Sequence, residues 1–126
     1  MREILFRGKH TNTDEWIHGS LVLSGKNTLI YPNNGYGLQF VVPETVGQYT
    51  GMRDKNGVRI FEGDIVTGLF LFGMQIKSVV AFKEGAFGLE WNRGNVEEFS
   101  AFTSICNVVF EVIGNVHDNP ELLEGE

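Results

Sequence analysis

Hydrophobic and polar residues alternate along much of this chain with a period of two. The clearest case is Glu15 to Leu23, where Ile17, Leu21 and Leu23 share one face with Gly19, and Trp16, His18, Ser20 and Val22 share the other. That spacing predicts a half-buried β-strand. Weaker alternation over Arg2–Arg7 predicts a first strand, with Ile4 and Phe6 on one face. Further strands are expected over Thr28–Tyr31 and over Tyr36–Val42, the latter stopped by Pro43, which cannot continue a ladder. Thr45–Met52 and Val58–Phe61 read as one hairpin, Ile65–Phe72 and Met74–Phe82 as a longer one. Ala86–Trp91 and Val108–Val116 complete the set. Val96–Ile105 fits an irregular strand and a short helical turn equally well. Near the C-terminus, Asn119-Pro120-Glu121 has an N-cap residue, Pro at the first helical position and an acid in the first turn, which predicts about one turn of helix.

The turns are as legible as the strands. Asp54-Lys55-Asn56-Gly57 is a tight turn, since Asp and Asn bond their own backbone and Gly supplies positive φ at little cost. Glu62-Gly63-Asp64 is a second turn, after which Ile65-Val66 resumes a strand. Ser24-Gly25-Lys26-Asn27, Pro32-Asn33-Asn34-Gly35 and Lys83-Glu84-Gly85 punctuate the rest. Sixteen Gly against three Pro suit a mainly β fold better than a helical bundle.

At 126 residues the chain fits a single domain spanning 1–126, and 42% hydrophobic with 21% charged residues argues against disorder. The opening run Ile4-Leu5-Phe6 is too short for a signal peptide, and the apolar stretch Ile65–Met74, broken by Thr67, Gly68 and Gly73, is too short to cross a bilayer. A lone cysteine, Cys106, excludes an internal disulfide and fits a reducing compartment, so a cytoplasmic location away from the membrane is expected. The net charge of −6 is uneven. Residues 1–60 hold seven Lys/Arg against five Asp/Glu, and residues 61–126 hold three against eleven. An acidic whole disfavours duplex DNA, whose affinity comes mainly from phosphate neutralisation.

Candidate chemistry is sparse. Asp54, Glu62 and Asp64 form the most tempting acid group, suited to a divalent cation or an acid–base pair. The loop fails the calcium template, however, and a carboxylate in such a turn ordinarily accepts backbone N–H bonds. His10, His18 and His117 are far apart, and Cys106 between apolar neighbours has no metal-ligand spacing. A Cys106–His117 nucleophilic pair competes with the plainer reading of a core cysteine. Gly35-Tyr36-Gly37 lacks the strand-then-helix context of a phosphate loop. Aromatics beside bases (Phe6-Arg7, and Tyr49 near Arg53) are a possible stacking platform for single-stranded nucleic acid. The apolar run Leu69-Phe70-Leu71-Phe72 is either a core hairpin or, with Leu122-Leu123, a surface for self-association or a protein partner.

Three segments resemble the YopX family of phage- and prophage-encoded proteins. They are Arg2-Glu3-Ile4-Leu5-Phe6-Arg7-Gly8 with Trp16 and Gly19; Val42 to Gly51 with Asp54, Asn56-Gly57 and Ile60 to Val66; and Glu111 to Val116 with Asn119 to Leu123. The resemblance covers most of the chain, departing in 20–40 and 67–110. It implies a mainly β, barrel-like domain of phage or prophage origin and no defined chemistry. The expected fold is a small, partly open SH3-like β-barrel with extra hairpins and a short C-terminal helical turn. Gly47, Tyr49, Thr50, Gly51, Asp54, Gly57, Glu62, Gly63, Asp64, Gly114 and Asn115 are its signature positions, read as structural. The expected function is a non-enzymatic interaction module without cofactor or metal, self-associating into a homo-oligomer and binding a host or phage protein. A single-stranded nucleic-acid binder stands second and a carboxylate-metal enzyme third.

Overall fold

The computed structural model describes residues 3–71, 74–93, 96–102 and 110–124. Two compact units are distinguished, Met1–Gly51 and Met52–Glu126.

The N-terminal unit contains β1 (Phe6–Lys9), β2 (Trp16–Ser24), β3 (Asn27–Tyr31), β4 (Gln39–Phe40) and most of β5 (Gly47–Arg53). Their order is β4-β3-β2-β1-β5, and the registered neighbours are antiparallel. The register of β2 on β3 is set at the turn, where Ser24 faces Asn27 across Gly25-Lys26 and Gly25 takes a φ of 61°. A left-handed glycine at the first central position suits a type II′ hairpin turn, whose twist matches that of the strands. Ile30 and Val41 are buried, and both lie close to where a side chain on Gly8 would stand. A 3-10 turn over Pro43–Thr45 leads into β5, tied to β1 by the Lys9 N–H donating to Thr45 Oγ1 at 2.9 Å.

The C-terminal unit contains β6 (Arg59–Phe61), β7 (Asp64–Leu71), β8 (Met74–Lys83), β9 (Ala86–Arg93), β10 (Val96–Ala101) and β11 (Glu111–Asn115). Five of them form an antiparallel sheet in the order β10-β9-β8-β7-β11. Ile60, Val66, Val80, Leu89, Trp91 and Phe110 make its core, with Ile76, Phe102 and Val112 packed against it. The β8–β9 turn is Glu84-Gly85, with φ of 53° and 80°; two successive left-handed residues make it a type I′ turn. Between Val66 and Leu69 the register on β8 slips, and Gly68 there has a φ of 126°. A bulge of this kind admits one extra residue and sharpens the local twist.

The fold is therefore mainly β, as expected, but its strands form two antiparallel sheets. The SH3-like barrel does not appear among the described residues. Closure requires the two edge strands of one sheet to pair, and β10 and β11 stand at opposite edges of theirs. Some boundaries also differ from the sequence reading, the last strand spanning Glu111–Asn115. The first strand begins at Phe6 and runs through Gly8 and Lys9; of Tyr36–Val42 only Gln39-Phe40 forms a strand, followed by an isolated bridge from Val41 to His10. Gly35 and Gly37, with φ of 86° and 76°, keep the preceding segment from extending. Of the two readings of Val96–Ile105, the strand forms over Val96–Ala101, and the expected short C-terminal helical turn forms over Pro120–Leu123 as a 3-10 turn. No helix among the described residues is long and apolar enough to cross a membrane.

Candidate interaction surface

Asp54 ends the β5 arm of the hairpin, and its carboxylate is fully engaged by backbone. Oδ1 accepts the Asn56 N–H at 2.8 Å and the Val58 N–H at 2.9 Å, and Oδ2 accepts the Val112 N–H at 3.0 Å. The turn is closed by the Asp54 N–H donating to the Val58 carbonyl and the Gly57 N–H donating to the Asp54 carbonyl. Burial pushes the Asp54 carboxyl up, but the amides of Val112, Val58 and Asn56, with the nearby Lys55 ammonium, outweigh it and hold the group below its ordinary value. Gly57 supplies a φ of 82° at the turn.

Asp64 is buried at the start of β7, where Oδ2 accepts the Phe61 N–H at 2.7 Å. Gly63, with a φ of 89°, donates to the Val80 carbonyl and accepts from the Val116 N–H. Glu62 between them is half-buried. The two aspartates thus hold separate backbone turns, and no metal-binding group of three or more His, Cys, Asp or Glu occurs among the described residues.

Asn115 organises the C-terminal motif. Its Oδ1 accepts the N–H groups of His117 and Asp118, and its Nδ2 donates to Asp118 Oδ2. Its own N–H donates to Asn119 Oδ1 at 3.2 Å. The Asn119 oxygen is therefore turned back toward the strand and makes no cap bond to the 3-10 turn, contrary to the N-cap expected from sequence. Gly114 is required by the same contact, because an added Cβ would stand 2.6 Å from Asn119 Oδ1 and 2.9 Å from Leu122 Cδ1.

The remaining signature positions lie in β5. Gly47 is buried opposite Arg7, Tyr49 is buried with its N–H donating to the Leu5 carbonyl, Thr50 is half-buried and Gly51 has a φ of 88°. A buried Tyr49 offers no ring for stacking. His10 Nδ1 accepts the Asn12 N–H in the β1–β2 loop. Leu69, Phe70 and Leu71 belong to β7 by backbone, but their side chains, together with Phe72 and Cys106, lie outside the described residues.

A surface that sequence reasoning did not single out lies on one face of the N-terminal sheet. Cross-strand partners point to the same side of a sheet. Arg7 faces His18 and Lys9 faces Trp16; Ser20 faces Tyr31, Val22 faces Leu29, and Leu29 faces Phe40. One face therefore runs from Lys9 and the buried Arg7 of β1, through Trp16 and His18 of β2, to Tyr31 and the buried Leu29 of β3 and Phe40 of β4. The Arg7 guanidinium carbon lies 4.6 Å from the Trp16 ring centroid and Lys9 Nζ 5.6 Å, both within cation–π range. Tyr31 is 43% exposed, Phe40 50%, and Tyr36 and Leu38, between β3 and β4, are 80% and 52% exposed. The signal was present in sequence: a two-residue turn at Gly25-Lys26 dictates which β3 residue meets each β2 residue.

In the C-terminal unit, Lys83 pairs with Glu90 and Glu97 on the face opposite the core. The hydrogen bonds that Lys83 donates to Glu90 and then to Glu97 raise its pKa. These side chains are partly exposed, and such a network contributes little to stability.

Residues 5–124 match the YopX family, described as YopX protein. No curated protein matches the chain. Among solved structures, protein EF1440 from Enterococcus faecalis is similar, with a TM-score of 0.61 and 24% identity over 98% of this chain and 100% of that one. At that identity the likeness concerns the fold.

Proposed function

We propose, from the premise that this chain belongs to the YopX family, that it is a non-enzymatic interaction module of a phage or prophage. It engages a macromolecular partner through the outer face of β2, β3 and β4. The observation that supports this is the concentration of exposed large hydrophobics. Tyr31, Tyr36, Leu38 and Phe40 are four of the ten among the described residues, and all fall within one short stretch of the chain. Scattered exposed hydrophobics are ordinary, whereas a group on adjoining strands marks a binding face. The acids that suggested chemistry are otherwise employed, Asp54 and Asp64 each accepting backbone N–H bonds. A second copy of the chain is the competing occupant of this face, which would make the protein a homo-oligomer.

Site-specific photo-crosslinking tests the reading. A benzoylphenylalanine replacing Phe40 is expected to give a covalent adduct in a bacterial host carrying the prophage. The same probe replacing Val96, exposed on β10, is expected to give none. Equal adducts at both positions, or none from position 40, would overturn the proposal.

A further inference from the structure

We propose that Asn34 is a site of spontaneous deamidation, at which the loop between β3 and β4 converts one of its own amides to a carboxylate. Only two asparagines of the chain precede a glycine, Asn34 before Gly35 and Asn56 before Gly57. In such a pair the glycine nitrogen can close on the asparagine Cγ, since no Cβ obstructs the approach. Both pairs are exposed, and a Cβ built on either glycine meets nothing within 4 Å. Access therefore does not separate them, and hydrogen bonding does. At Asn56 the nucleophile is engaged: the Gly57 N–H donates to the Asp54 carbonyl at 3.0 Å. The Val58 N–H donates to Asp54 Oδ1 at 2.9 Å rather than to the Asn56 side chain. The Asp54 carboxylate also accepts the Asn56 N–H, and its negative charge there opposes loss of a proton from Gly57. The Asn56 amide is held further by Nδ2 donating to Glu111 Oε2 at 3.4 Å.

Asn34 differs at each of these atoms. The Gly35 N–H donates to no acceptor among the described residues. The N–H two residues on, that of Tyr36, donates to Asn34 Oδ1 at 3.1 Å. That bond aims a donor at the oxygen on which charge develops as Cγ is attacked. The reaction balances with water alone. Gly35 N gives its proton to solvent and bonds to Asn34 Cγ. The Cγ–Nδ2 bond breaks, Nδ2 takes up a proton and leaves as ammonia, and a cyclic succinimide remains. Water then opens the ring, giving aspartate if the bond to Cγ breaks and isoaspartate if the bond to the main-chain carbonyl carbon breaks. Residues 16–43 contain no Asp or Glu, so either product brings a first carboxylate to that stretch. It would arise in the loop that carries the exposed Tyr36 and Leu38, between Tyr31 and Phe40. On the interaction-module reading above, on which this consequence alone rests, the new charge weakens binding and gives the face a limited lifetime.

The test is a time course of the folded protein at mildly alkaline pH, digested with trypsin and mapped by tandem mass spectrometry. Cleavage after Lys26, Arg53, Lys55 and Arg59 puts the two sites in separate peptides. Asn34 is expected to convert about tenfold faster than Asn56, the difference that one released amide hydrogen bond makes to a barrier. The same time course in guanidinium chloride removes the bonds at both sites, and their rates are expected to converge. Equal rates in the folded protein, a faster Asn56, or an advantage of Asn34 that survives denaturation unchanged would each overturn the inference. In the host, Asn34→Asp is expected to lower the cross-link from position 40, and an undiminished adduct would overturn the limited lifetime. If Asn34 converts while position 40 gives no adduct even with the amide intact, the modification stands and the module is lost. If Asn34 keeps its amide while position 40 still cross-links, the module survives and the modification is lost.

Discussion

Asp54 and Val112, 58 residues apart in the chain, are joined by a 3.0 Å hydrogen bond from the Val112 N–H to Asp54 Oδ2. One carboxylate therefore closes the turn after β5 and fastens that turn to β11. Asp54→Asn keeps an acceptor for Asn56 and Val58 but turns an NH2 group toward the Val112 amide. The substitution is expected to cost about 2 kcal/mol, since it removes a charge-assisted bond and leaves a donor facing a donor. Urea denaturation measures this, and a loss under about 0.5 kcal/mol would show the link to be incidental.

The same carboxylate makes stability depend on pH. Its folded pKa lies below the ordinary value of 3.8, so between the folded and unfolded values the unfolded chain binds more protons. The contribution is complete above the unfolded pKa and is lost as pH falls through the folded one. Wild-type stability is expected to drop from pH 4 downward more steeply than that of Asp54→Asn. Parallel pH profiles from urea melts would assign the acid sensitivity to other groups.

Gly19 lies in β2 directly against the backbone of the chain leaving β3. An added Cβ would run into the Tyr31 carbonyl and stand 2.9 Å from Pro32 Cα. Backbone cannot step aside as a flexible side chain can, so Gly19→Ala is expected to destabilise by about 3 kcal/mol. Gly25→Ala, with open space around it, loses only the left-handed turn preference and is the milder comparison. Thermal melts that rank the two the other way would contradict the packing described.

Ser78 is almost fully buried on β8, 1% exposed, and its Oγ has no hydrogen-bond partner among the described residues. A buried hydroxyl without an acceptor loses its hydration for nothing in return. Ser78→Ala is therefore expected to stabilise the protein by about 1 kcal/mol. A destabilisation of similar size in urea melts would mean that the hydroxyl has a role the geometry does not show.

What sequence made legible was local. The turn residues Ser24 to Asn27, Asp54 to Gly57 and Lys83 to Gly85 announce themselves because Gly, Asn and Asp satisfy particular backbone conformations, and each set the register of a hairpin. What sequence left open was non-local. Nothing near Asp54 in the chain indicates that Val112 will meet its second oxygen, and nothing near Asn119 indicates that the Asn115 amide will take the oxygen a helix cap would have used. Closure of a sheet is likewise decided between its two edge strands, which alternation within each strand does not reveal. The candidate surface fell between these cases. The alternation of Trp16, His18, Ser20 and Val22 was visible, and the tight turn placed Tyr31 beside Ser20. The denser apolar run at Leu69–Phe72 is the other surface the sequence offers, and its side chains lie outside the described residues.

Native mass spectrometry most directly tests whether the β2–β4 face is a binding surface. The protein would be purified at low salt from a prophage-bearing host, alongside Tyr31→Ser/Phe40→Ser. The account predicts mass beyond the 14.1 kDa chain in the wild type, from a bound partner, and its loss in the double variant. A bare monomer in both, or the same added mass in both, would contradict it.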